Sequence, residues 1–504
     1  MTTHTASTHT AQPAQLPRTV AGALDAIPWA EVDDHFIDGD WVRSTGGARN
    51  PVYHPATGEQ WGAVPDATED DLERAVRAAH QAFRSSGWAQ LPATERARMM
   101  LVMAEKVEQK AELLALTSTL ENGSPITETT GVAANAASIL RYFATLAGHL
   151  DSEDLRPFPN GAGKTLVSHD PVGVCTLIAP WNFPINLMVA KLAPALLAGC
   201  TVVMKPASPT PLSIRFIVEA AAEAGIPAGV VNLVTGSGRR GDTLVRHPLV
   251  SKVAFTGSTP VGRHIAAACG ELLRPVTLEL GGKSSAVVLP DADLEVMSAV
   301  LLRSCLRNTG QTCYISTRIL APAKRYDEVV DMVTATVAAA PQGNPLDPQT
   351  VFGPSATRSQ FETVQEYLDS AAQEGAVATT GGRAVDGPGW FVEPTVLRDV
   401  QPWMRVAREE IFGPVLTVLP YQEVDEAVEL ANDTEFGLGG VVFSADEDAA
   451  LDVARRMDTG SVGVNFFASN HSAPFGGRKA SGLGVEFGLE GLSAYLSYQS
   501  VHRR

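Results

Sequence analysis

The stretch VCTLIAPWNFPINLMVAKLAPALLAGCTVVMKP, residues 174–206, decides the fold of this chain. It opens with a short apolar run, continues through a long apolar segment that contains Lys191 and Pro194, and closes with the apolar run TVVMKP. Short apolar runs bounded by Pro or Gly predict buried strands, and the longer segment between them predicts a buried helix better than a membrane span. The stretch therefore predicts one strand–helix–strand unit.

The same alternation continues beyond residue 206. The apolar runs VVNLVTG, KVAFTGS and TLELGG follow, and helical stretches such as PLSIRFIVEAAAEAG and PVGRHIAAACGEL separate several of them. Strands and helices that alternate in this way form right-handed βαβ units. Because the runs are continuously apolar, both faces of the sheet are expected to be buried. We predict an α/β fold with a doubly wound parallel sheet of the kind that binds a cofactor.

The rest of the chain adds a second α/β section and two flanking segments. The polar stretch DSEDLRPFPNGAGKT predicts an excursion from the core, and the β-prone tail LSAYLSYQSV is a candidate for edge pairing, including pairing with another subunit. The polar N-terminus lacks the apolar segment of a secretory signal and predicts a disordered leader. The predicted division is a leader at 1–25, a cofactor domain at 26–148 and 171–281, a catalytic domain at 282–480, and an oligomerisation segment at 149–170 and 481–504.

Charge and cysteine content exclude several classes of function. The 504-residue chain has a formal net charge of −17, which argues against a nucleic-acid or anionic-membrane surface. Its five cysteines are odd in number and form no CxxC pair, so neither a disulfide framework nor a zinc site is indicated, and no metal is expected. A reducing, cytoplasmic location fits this composition best.

Two residues are candidates for covalent and acid–base chemistry. Cys313 lies in the small, uncharged loop NTGQTCYIST, where backbone N–H groups could face an oxyanion and a substrate could approach the sulfur. Most cysteines are inert, so a buried structural thiol is the alternative. Glu279 interrupts the buried strand VTLELGG; burial would raise its pKa, as a general base needs, although a structural ion pair would also explain it.

Two glycine-containing turns could bind phosphate groups. Residues 236–241 match GxGxxG, but the next strand ends without the carboxylate that usually holds a ribose, so a simple tight turn competes with a dinucleotide site. Residues 257–262, GSTPVG, are a better candidate because Ser258 or Thr259 can cap a helix that begins with Pro260. The free N–H groups of such a helix favour an anion, although a cap alone is also possible.

Three polar side chains follow predicted strands. Asn182, between two prolines in APWNFP, is a neutral donor suited to an oxyanion. Lys205 ends the neighbouring strand, where ligands bind in open α/β sheets, although an exposed lysine is the commoner case. Glu410, in REEIFGP, could accept from both hydroxyls of a ribose or could be a solvated surface carboxylate.

Taken together, these motifs resemble those of the aldehyde dehydrogenase superfamily, from about residue 35 to 500. The matching stretches are APWNFP, VVMKPASPTPLS, FTGSTPVG, LELGGKS, NTGQTCYIS, EEIFGPV and APFGGRKASGLG. The resemblance implies that Cys313 attacks an aldehyde, that Asn182 holds the oxyanion, and that Glu279 activates the water that hydrolyses a thioester. Lys191 would support the proton transfers.

The resemblance also implies a nicotinamide cofactor and its contacts. NAD is expected, with NADP possible, because Ser208 stands where many NAD-preferring relatives have a ribose-binding glutamate. The implied cofactor-binding residues are Pro180, Trp181, Lys205, Ser208, Gly257, Ser258, Thr259, Gly262, Leu280, Glu410 and Phe412. Assembly as a homodimer or homotetramer through the β arm is expected as well.

The substrate is predicted from the residues that would line the entrance channel. Ala190 stands where relatives often place a large aromatic side chain, so we expect a roomier channel and a medium-chain, terpenoid or aromatic aldehyde. The predicted walls are Phe183, Leu187, Ala190, Tyr314 and Phe467. Two other activities remain open: a CoA-acylating semialdehyde dehydrogenase, against which Glu279 argues, and a catalytically silent structural relative.

Overall fold

The computed structural model describes residues 19–29 and 31–504. Its main feature is an eight-stranded sheet whose five central strands run parallel. From edge to edge, the strands are Asp40–Arg43, Asp34–Ile37, Val231–Leu233, Thr201–Lys205, Val174–Ile178, Lys252–Thr256, Val276–Glu279 and Gly482–Leu483. The chain order reverses on either side of Val174–Ile178, so the carboxyl ends of the central strands form one ligand-binding edge.

A second, seven-stranded sheet forms the other half of the molecule. Its strands, from edge to edge, are Val377–Thr380, Thr395–Arg398, Val415–Tyr421, Arg318–Pro322, Ser285–Val288, Gly440–Phe443 and Gly463–Val464. Only the first pair is antiparallel. The prediction of an α/β chain with a parallel cofactor sheet and a second α/β domain is confirmed.

Three smaller sheets complete the β structure. The arm consists of Leu496–Arg503, Lys164–Pro171 and Asp154–Pro157, in that order and antiparallel. The two others are the pairs Arg49–His54 with Glu59–Pro65 and Phe436–Gly437 with Arg478–Lys479. Seven of the eight residues of Leu496–Arg503 are exposed, and among the described residues this strand has one neighbour, so its other edge is free there.

Helices cover the two main sheets. The longer ones are Glu69–Ser85, Ala93–Gln109, Ala111–Asn122, Val132–Thr145, Pro184–Ala198, Thr259–Glu271, Leu294–Cys305, Tyr326–Ala339, Arg358–Glu374 and Glu447–Arg456. The shorter ones are Val20–Ala26, Ile126–Thr129, Ala147–Asp151, Arg215–Glu223, Gly238–Arg246, Arg405–Arg408, Val424–Asn432 and Gly488–Ser493, with 3-10 turns at Trp88–Gln90 and Ala323–Arg325. Within the described residues, no helix is long and apolar enough to span a membrane.

Two predicted boundaries are wrong. The leader predicted at 1–25 lies outside the described residues up to position 18, but Val20–Ala26 is a helix whose N-terminus is capped by Thr19. The oligomerisation segment predicted at 481–504 begins too early, because Gly482–Leu483 pairs with Val276–Glu279 at the edge of the cofactor sheet. Short antiparallel strands of this kind carry no hydrophobic periodicity from which they could be predicted.

Candidate active site

Cys313 lies in a strained loop between the helix Leu294–Cys305 and the strand Arg318–Pro322. Asn308, Thr309 and Gly310 have consecutive positive φ angles of 52°, 58° and 76°. Left-handed conformations cost energy for residues other than glycine and concentrate at functional sites. A Cβ atom at Gly310 would collide with the carbonyl of Gly413, so this position requires glycine. The turn thus holds the cysteine loop against the segment that precedes Val415–Tyr421.

A cavity of about 360 Å³ opens in front of this cysteine. Cys313 is partly exposed, whereas the other four cysteines are buried. Polar, charged, aromatic and aliphatic side chains from several helices and loops form the walls of the cavity. They include Ser118, Asn122, Glu128, Val132, Asn135, Ile139, Asn182, Phe183, Asn186, Leu187, Arg303, Arg307, Tyr314, Phe467, His471, Phe475 and Glu486. A reachable thiol in the lining of a cavity is suited to nucleophilic attack on a bound carbonyl.

The protonation of the Cys313 thiol depends on opposing influences. Burial raises its pKa above the ordinary value, and the nearby carboxylates of Glu410 and Glu279 raise it further. Hydrogen bonds from the backbone N–H groups of Cys313 and Tyr314 act in the opposite direction. These two N–H groups point toward the sulfur, so they also lie where an oxyanion would develop after attack.

The Asn182 side chain lies beside the cysteine loop. Its Nδ2 atom donates to the carbonyl of Gln311 at 2.9 Å, which leaves its second N–H available, and its Oδ1 atom has no hydrogen-bond partner. The backbone carbonyl of Asn182 accepts from Asn122 at 3.1 Å and from Asn308 at 3.2 Å. The amide is therefore fixed relative to the loop that carries Cys313, as a preorganised oxyanion donor must be.

Glu279 ends a central strand of the cofactor sheet and is 2% exposed. Neither carboxylate oxygen has a hydrogen-bond partner among residues 19–29 and 31–504. Burial raises the pKa of Glu279 well above its ordinary value; Glu486 raises it further, whereas Lys191 lowers it. A buried, unpaired carboxyl with a raised pKa is the state expected of a general base, and the alternative of a direct ion pair is not what the structure shows.

Lys191 is fully buried and does not reach the cavity lining. Its Nζ atom contacts Glu486 Oε1 and Thr256 Oγ1, each at 2.5 Å. Glu486 lines the cavity, so the lysine acts on the site through its partner carboxylate. Glu486 was missed by sequence reasoning, because a lone glutamate in GVEFG, far along the chain from Lys191, gives no signal of such a pair.

The turn at residues 257–262 has the form expected of an anion site. Ser258 precedes the helix Thr259–Glu271, but its side chain makes no capping hydrogen bond, so the first-turn N–H groups remain available. A Cβ at Gly262 would collide with the Leu280 side chain, which explains the glycine. Thr259 Oγ1 accepts from the Gly281 N–H at 3.4 Å and ties this turn to the loop after Glu279.

Lys205 lies at the carboxyl end of the strand Thr201–Lys205 and is almost completely buried. Burial lowers its pKa to about 8, and the charge of Asp66 opposes this shift. Ser208 is nearby in sequence and donates to the Gly236 carbonyl at 3.0 Å. In the GxGxxG-like loop, the Ser237 N–H donates to Asp66 at 2.8 Å. This N–H is therefore not free to bind a phosphate group. The tight-turn interpretation therefore describes this loop.

A third group of candidate cofactor residues surrounds Glu410. Its Oε1 atom accepts from the Gly282 N–H at 2.9 Å, and burial raises its pKa to about 7. Phe412 has a positive φ of 56° and packs edge-on against Trp181, with 5.3 Å between ring centroids. Pro180, which precedes Trp181, is half-buried at the end of the central strand. These residues face the same strand ends as Lys205 and could enclose the nicotinamide end of a dinucleotide.

Four of the five predicted channel residues line the cavity. They are Phe183, Leu187, Tyr314 and Phe467, and the rings of the last two stack at 4.7 Å. Ala190 does not line it: the residue is 1% exposed and belongs to the core of the cofactor domain. Its predicted role as a channel wall is wrong: helical spacing places residue 190 on the same side as Phe183 and Leu187, but the short alanine side chain is packed in the core and does not reach the cavity.

Sequence reasoning also missed the charged wall of the cavity. Arg307 donates to Glu128 at 3.0 Å and to the Tyr314 hydroxyl at 2.7 Å, and its guanidinium lies 5.1 Å from the centre of the Phe183 ring. This network orients two aromatic walls. Glu128 and Arg307 are far apart in sequence, and neither belongs to a motif that would predict the contact.

A partly exposed cysteine thiol, a neutral amide donor and a buried carboxyl near the ends of an α/β sheet are the groups expected of an enzyme that forms a covalent adduct with its substrate. Comparison with known proteins specifies the class: the model of the aldehyde dehydrogenase family matches residues 41–501. The chain belongs to the aldehyde dehydrogenase family, and the prediction of an oxidoreductase that acts on aldehydes is confirmed.

Individual relatives cover nearly the whole chain. It is 50% identical to geranial dehydrogenase of Castellaniella defragrans over 468 residues, which are 93% of this chain and 98% of the relative. It is 39% identical to human retinal dehydrogenase 2, over 92% of this chain and 90% of that protein. A crystal structure of Mycobacterium tuberculosis aldehyde dehydrogenase complexed with NAD+ superposes with a TM-score of 0.90 at 39% identity, covering 94% of this chain and 98% of that one.

Proposed function

We propose that this enzyme oxidises an aldehyde to the carboxylic acid through a covalent adduct on Cys313. The observation that carries the proposal is the placement of the reachable Cys313 thiol and the Asn182 amide on one cavity, with the buried Glu279 carboxyl near enough to raise the thiol pKa. Attack by the thiolate on the carbonyl carbon gives a thiohemiacetal. The free N–H of Asn182 and the Cys313 backbone N–H then stabilise the oxyanion.

Glu279 acts as the general base in the second half of the reaction, the hydrolysis of the thioester. Hydride loss from the adduct leaves a thioester on Cys313, and a water molecule must be deprotonated to hydrolyse it. The Glu279 carboxyl is buried and has no hydrogen-bond partner, so its raised pKa suits the abstraction of a proton near neutrality. Lys191 and Glu486 influence this pKa by their charges and form a buried pair next to the base.

NAD fits the groups at the strand ends. Bound there, it would supply the hydride acceptor. The uncapped helix start at Ser258 would bind the pyrophosphate, the buried ammonium of Lys205 the adenosine ribose, and the carboxylate of Glu410 the nicotinamide ribose. NADP use remains compatible with Ser208, since a hydroxyl there does not repel a 2′-phosphate.

The substrate is a medium-chain, terpenoid or aromatic aldehyde. The cavity of about 360 Å³ with the aromatic walls Phe183, Tyr314 and Phe467 supports this class. The similarity to enzymes named for geranial and retinal supports it as well. The alternative of CoA acylation would require activity that depends on CoA, and the alternative of a silent relative would require no turnover of any aldehyde.

The enzyme assembles as a homodimer or homotetramer in the cytoplasm. The exposed outer edge of Leu496–Arg503 supports assembly, because an eight-residue strand with one free edge is a template for pairing with another chain. Five free thiols support a reducing compartment. A monomer in light scattering at micromolar concentration would contradict the assembly.

The acyl-enzyme provides the direct test. We expect Glu279→Gln to produce a burst of NADH equal to the number of subunits and then to stall, with the acyl mass retained on Cys313. Cys313→Ser is the matched control and is expected to give neither burst nor adduct. Full steady-state turnover by Cys313→Ser, or the absence of a trapped acyl group in Glu279→Gln, would overturn the mechanism.

A further inference from the structure

We propose that the aldehyde oxidised here carries a second, uncharged hydrogen-bonding group, of hydroxyl type, at the end remote from the carbonyl. The proposal rests on the proposed function, which places the carbonyl at Cys313, and it concerns the other end of the same substrate. It arises from polar side chains on three different helices that line the same cavity as Cys313. They are Ser118, Asn122, Asn135 and Asn186.

Helical spacing places these side chains on cavity-facing surfaces. Ser118 and Asn122 are one turn apart on the helix Ala111–Asn122. Asn135 lies on the helix Val132–Thr145, between the lining residues Val132 and Ile139 at helical spacing. The amide thus interrupts an otherwise apolar stripe that faces the cavity.

Asn186 gives a similar interruption on a third helix. It lies in the first turn of Pro184–Ala198, between the lining residues Pro184 and Leu187. Substrate pockets use a few placed polar groups among apolar walls to fix a ligand. A pocket built only for hydrocarbon would have no use for an amide here.

Two of the polar atoms are buried and unpaired. Ser118 is 3% exposed, and its Oγ atom has no hydrogen-bond partner. The Oδ1 atom of Asn186 is also buried without a partner. A buried polar atom left without a hydrogen bond destabilises the protein, so its partner is expected to be what fills the cavity. The unpaired Oδ1 of Asn182 is separate, since that amide serves the reacting carbonyl.

The charges around the cavity indicate that the remote group is neutral. Arg307 is paired with Glu128, and Glu486 with Lys191. Burial lowers the pKa of His471, which keeps that ring uncharged at neutral pH. The remaining charged lining residue, Arg303, is exposed to solvent, where its field is screened.

The chemistry of the unpaired atoms selects the kind of group. An amide oxygen only accepts, whereas the Ser118 hydroxyl can donate or accept. A substrate hydroxyl can donate to Asn186 Oδ1 and exchange a hydrogen bond with Ser118, whereas a carboxylate has no proton for the amide oxygen. Between the two ends, Val132, Ile139 and Leu187 offer apolar surface for a hydrocarbon chain or ring. The substrate class is therefore a hydroxylated medium-chain or terpenoid aldehyde.

Matched substrates test this inference. We would measure kcat and KM for octanal and for 8-hydroxyoctanal with the wild type, Asn186→Leu and Ser118→Ala. Asn186→Leu is expected to raise the ratio of the KM for 8-hydroxyoctanal to the KM for octanal about tenfold or more. Ser118→Ala is expected to shift the same ratio in the same direction by a smaller factor. Leu187→Ala is the apolar control and should weaken both substrates alike.

The results with octanal distinguish a failure of the inference about the hydroxyl group from a failure of the proposed function. If wild type oxidises octanal but the ratio of the two substrates stays fixed in Asn186→Leu and Ser118→Ala, water alone satisfies these atoms and the inference is overturned while the proposed function stands. If the wild type oxidises neither compound nor any other aldehyde, the proposed function itself falls.

Discussion

Lys191 and Glu486 form an ion pair in the interior of the protein, with 2.5 Å between Nζ and Oε1. The two charges act in opposite directions on a third group: Glu486 raises the pKa of Glu279, and Lys191 lowers it. The pair therefore controls the electrostatic potential at the proposed general base without touching the substrate carbonyl.

Replacing Glu486 by glutamine should shift the pH dependence of hydrolysis to lower pH. The variant removes the negative charge that raises the pKa of Glu279 and keeps the positive charge of Lys191 that lowers it, so the carboxyl ionises at lower pH. We expect the acid limb of kcat to move down by about one pH unit. The measurement is a pH profile under conditions where deacylation limits turnover.

The matched control is Glu490→Gln, which removes an exposed carboxylate four residues further along the chain. It should leave the acid limb in place. An acid limb in Glu486→Gln that stays fixed or moves to higher pH would contradict the assigned influence of the pair. Because an unpaired buried lysine destabilises the fold, both variants are assayed well below their melting temperatures.

Removing the Asn182 amide should slow the formation of the covalent adduct. Deleting one oxyanion donor typically lowers kcat about 10²–10³-fold, and we expect Asn182→Ala to fall in this range with little change in KM. Rapid-mixing measurement of the NADH burst should show that acylation has slowed. An unchanged burst rate would assign the oxyanion to backbone groups alone.

A carboxylate at position 208 should favour NAD over NADP. The Ser208→Glu side chain would lie near Lys205, where it can accept from ribose hydroxyls and repel a 2′-phosphate. We expect the ratio of kcat/KM values for NAD and NADP to rise about tenfold. Ser208→Gln has nearly the same size without the charge and should change the ratio much less; equal effects of the two variants would rule out an electrostatic cause.

Glu121 should make the stability of the protein depend on pH. This carboxyl is fully buried, accepts from the backbone N–H groups of Leu212 and Ser213, and has its pKa raised by burial to about 8. The folded state therefore holds a proton that the unfolded state releases near pH 4.5, so the contribution is complete below that pH and is lost as the pH rises to about 8.

Thermal melts would detect this loss. Between pH 5 and pH 8.5, the melting temperature of wild type should fall more than that of Glu121→Gln, whose amide has no proton to lose. Glu112→Gln, an exposed position on the same helix, should behave like wild type. Parallel pH dependence of wild type and Glu121→Gln would show that the carboxyl is not protonated in the folded protein.

The sheet could be predicted, and the candidate reacting groups identified, because their signals are local. Continuous apolar runs identified the five parallel strands, and the residues that end or follow them supplied Asn182, Lys205 and Glu279. The start of the helix Thr259–Glu271 could be predicted from Ser258, a residue type common at N-cap positions, and from Pro260. In each case the signal comes from a few neighbouring residues, so it can be read from the sequence alone.

The missed features depend on contacts across long chain separations. Glu486 gains its role from Lys191, and Arg307 from Glu128, and no sequence pattern connects the members of either pair. The error at Ala190 has a different origin: its position along the helix puts it on the side of Phe183 and Leu187, but how far a short side chain lies from the cavity depends on the packing around it, which the spacing does not show.

The last stretch of the chain serves three separate purposes. Gly482–Leu483 closes one edge of the cofactor sheet, Glu486 neutralises Lys191, and Leu496–Arg503 forms the outer strand of the arm. A nonsense mutation before codon 482 would therefore remove all three together. Such a truncated product is expected to be inactive and unable to complete its fold. Premature stop codons at this end of the gene should therefore be tolerated as poorly as substitutions of the catalytic residues.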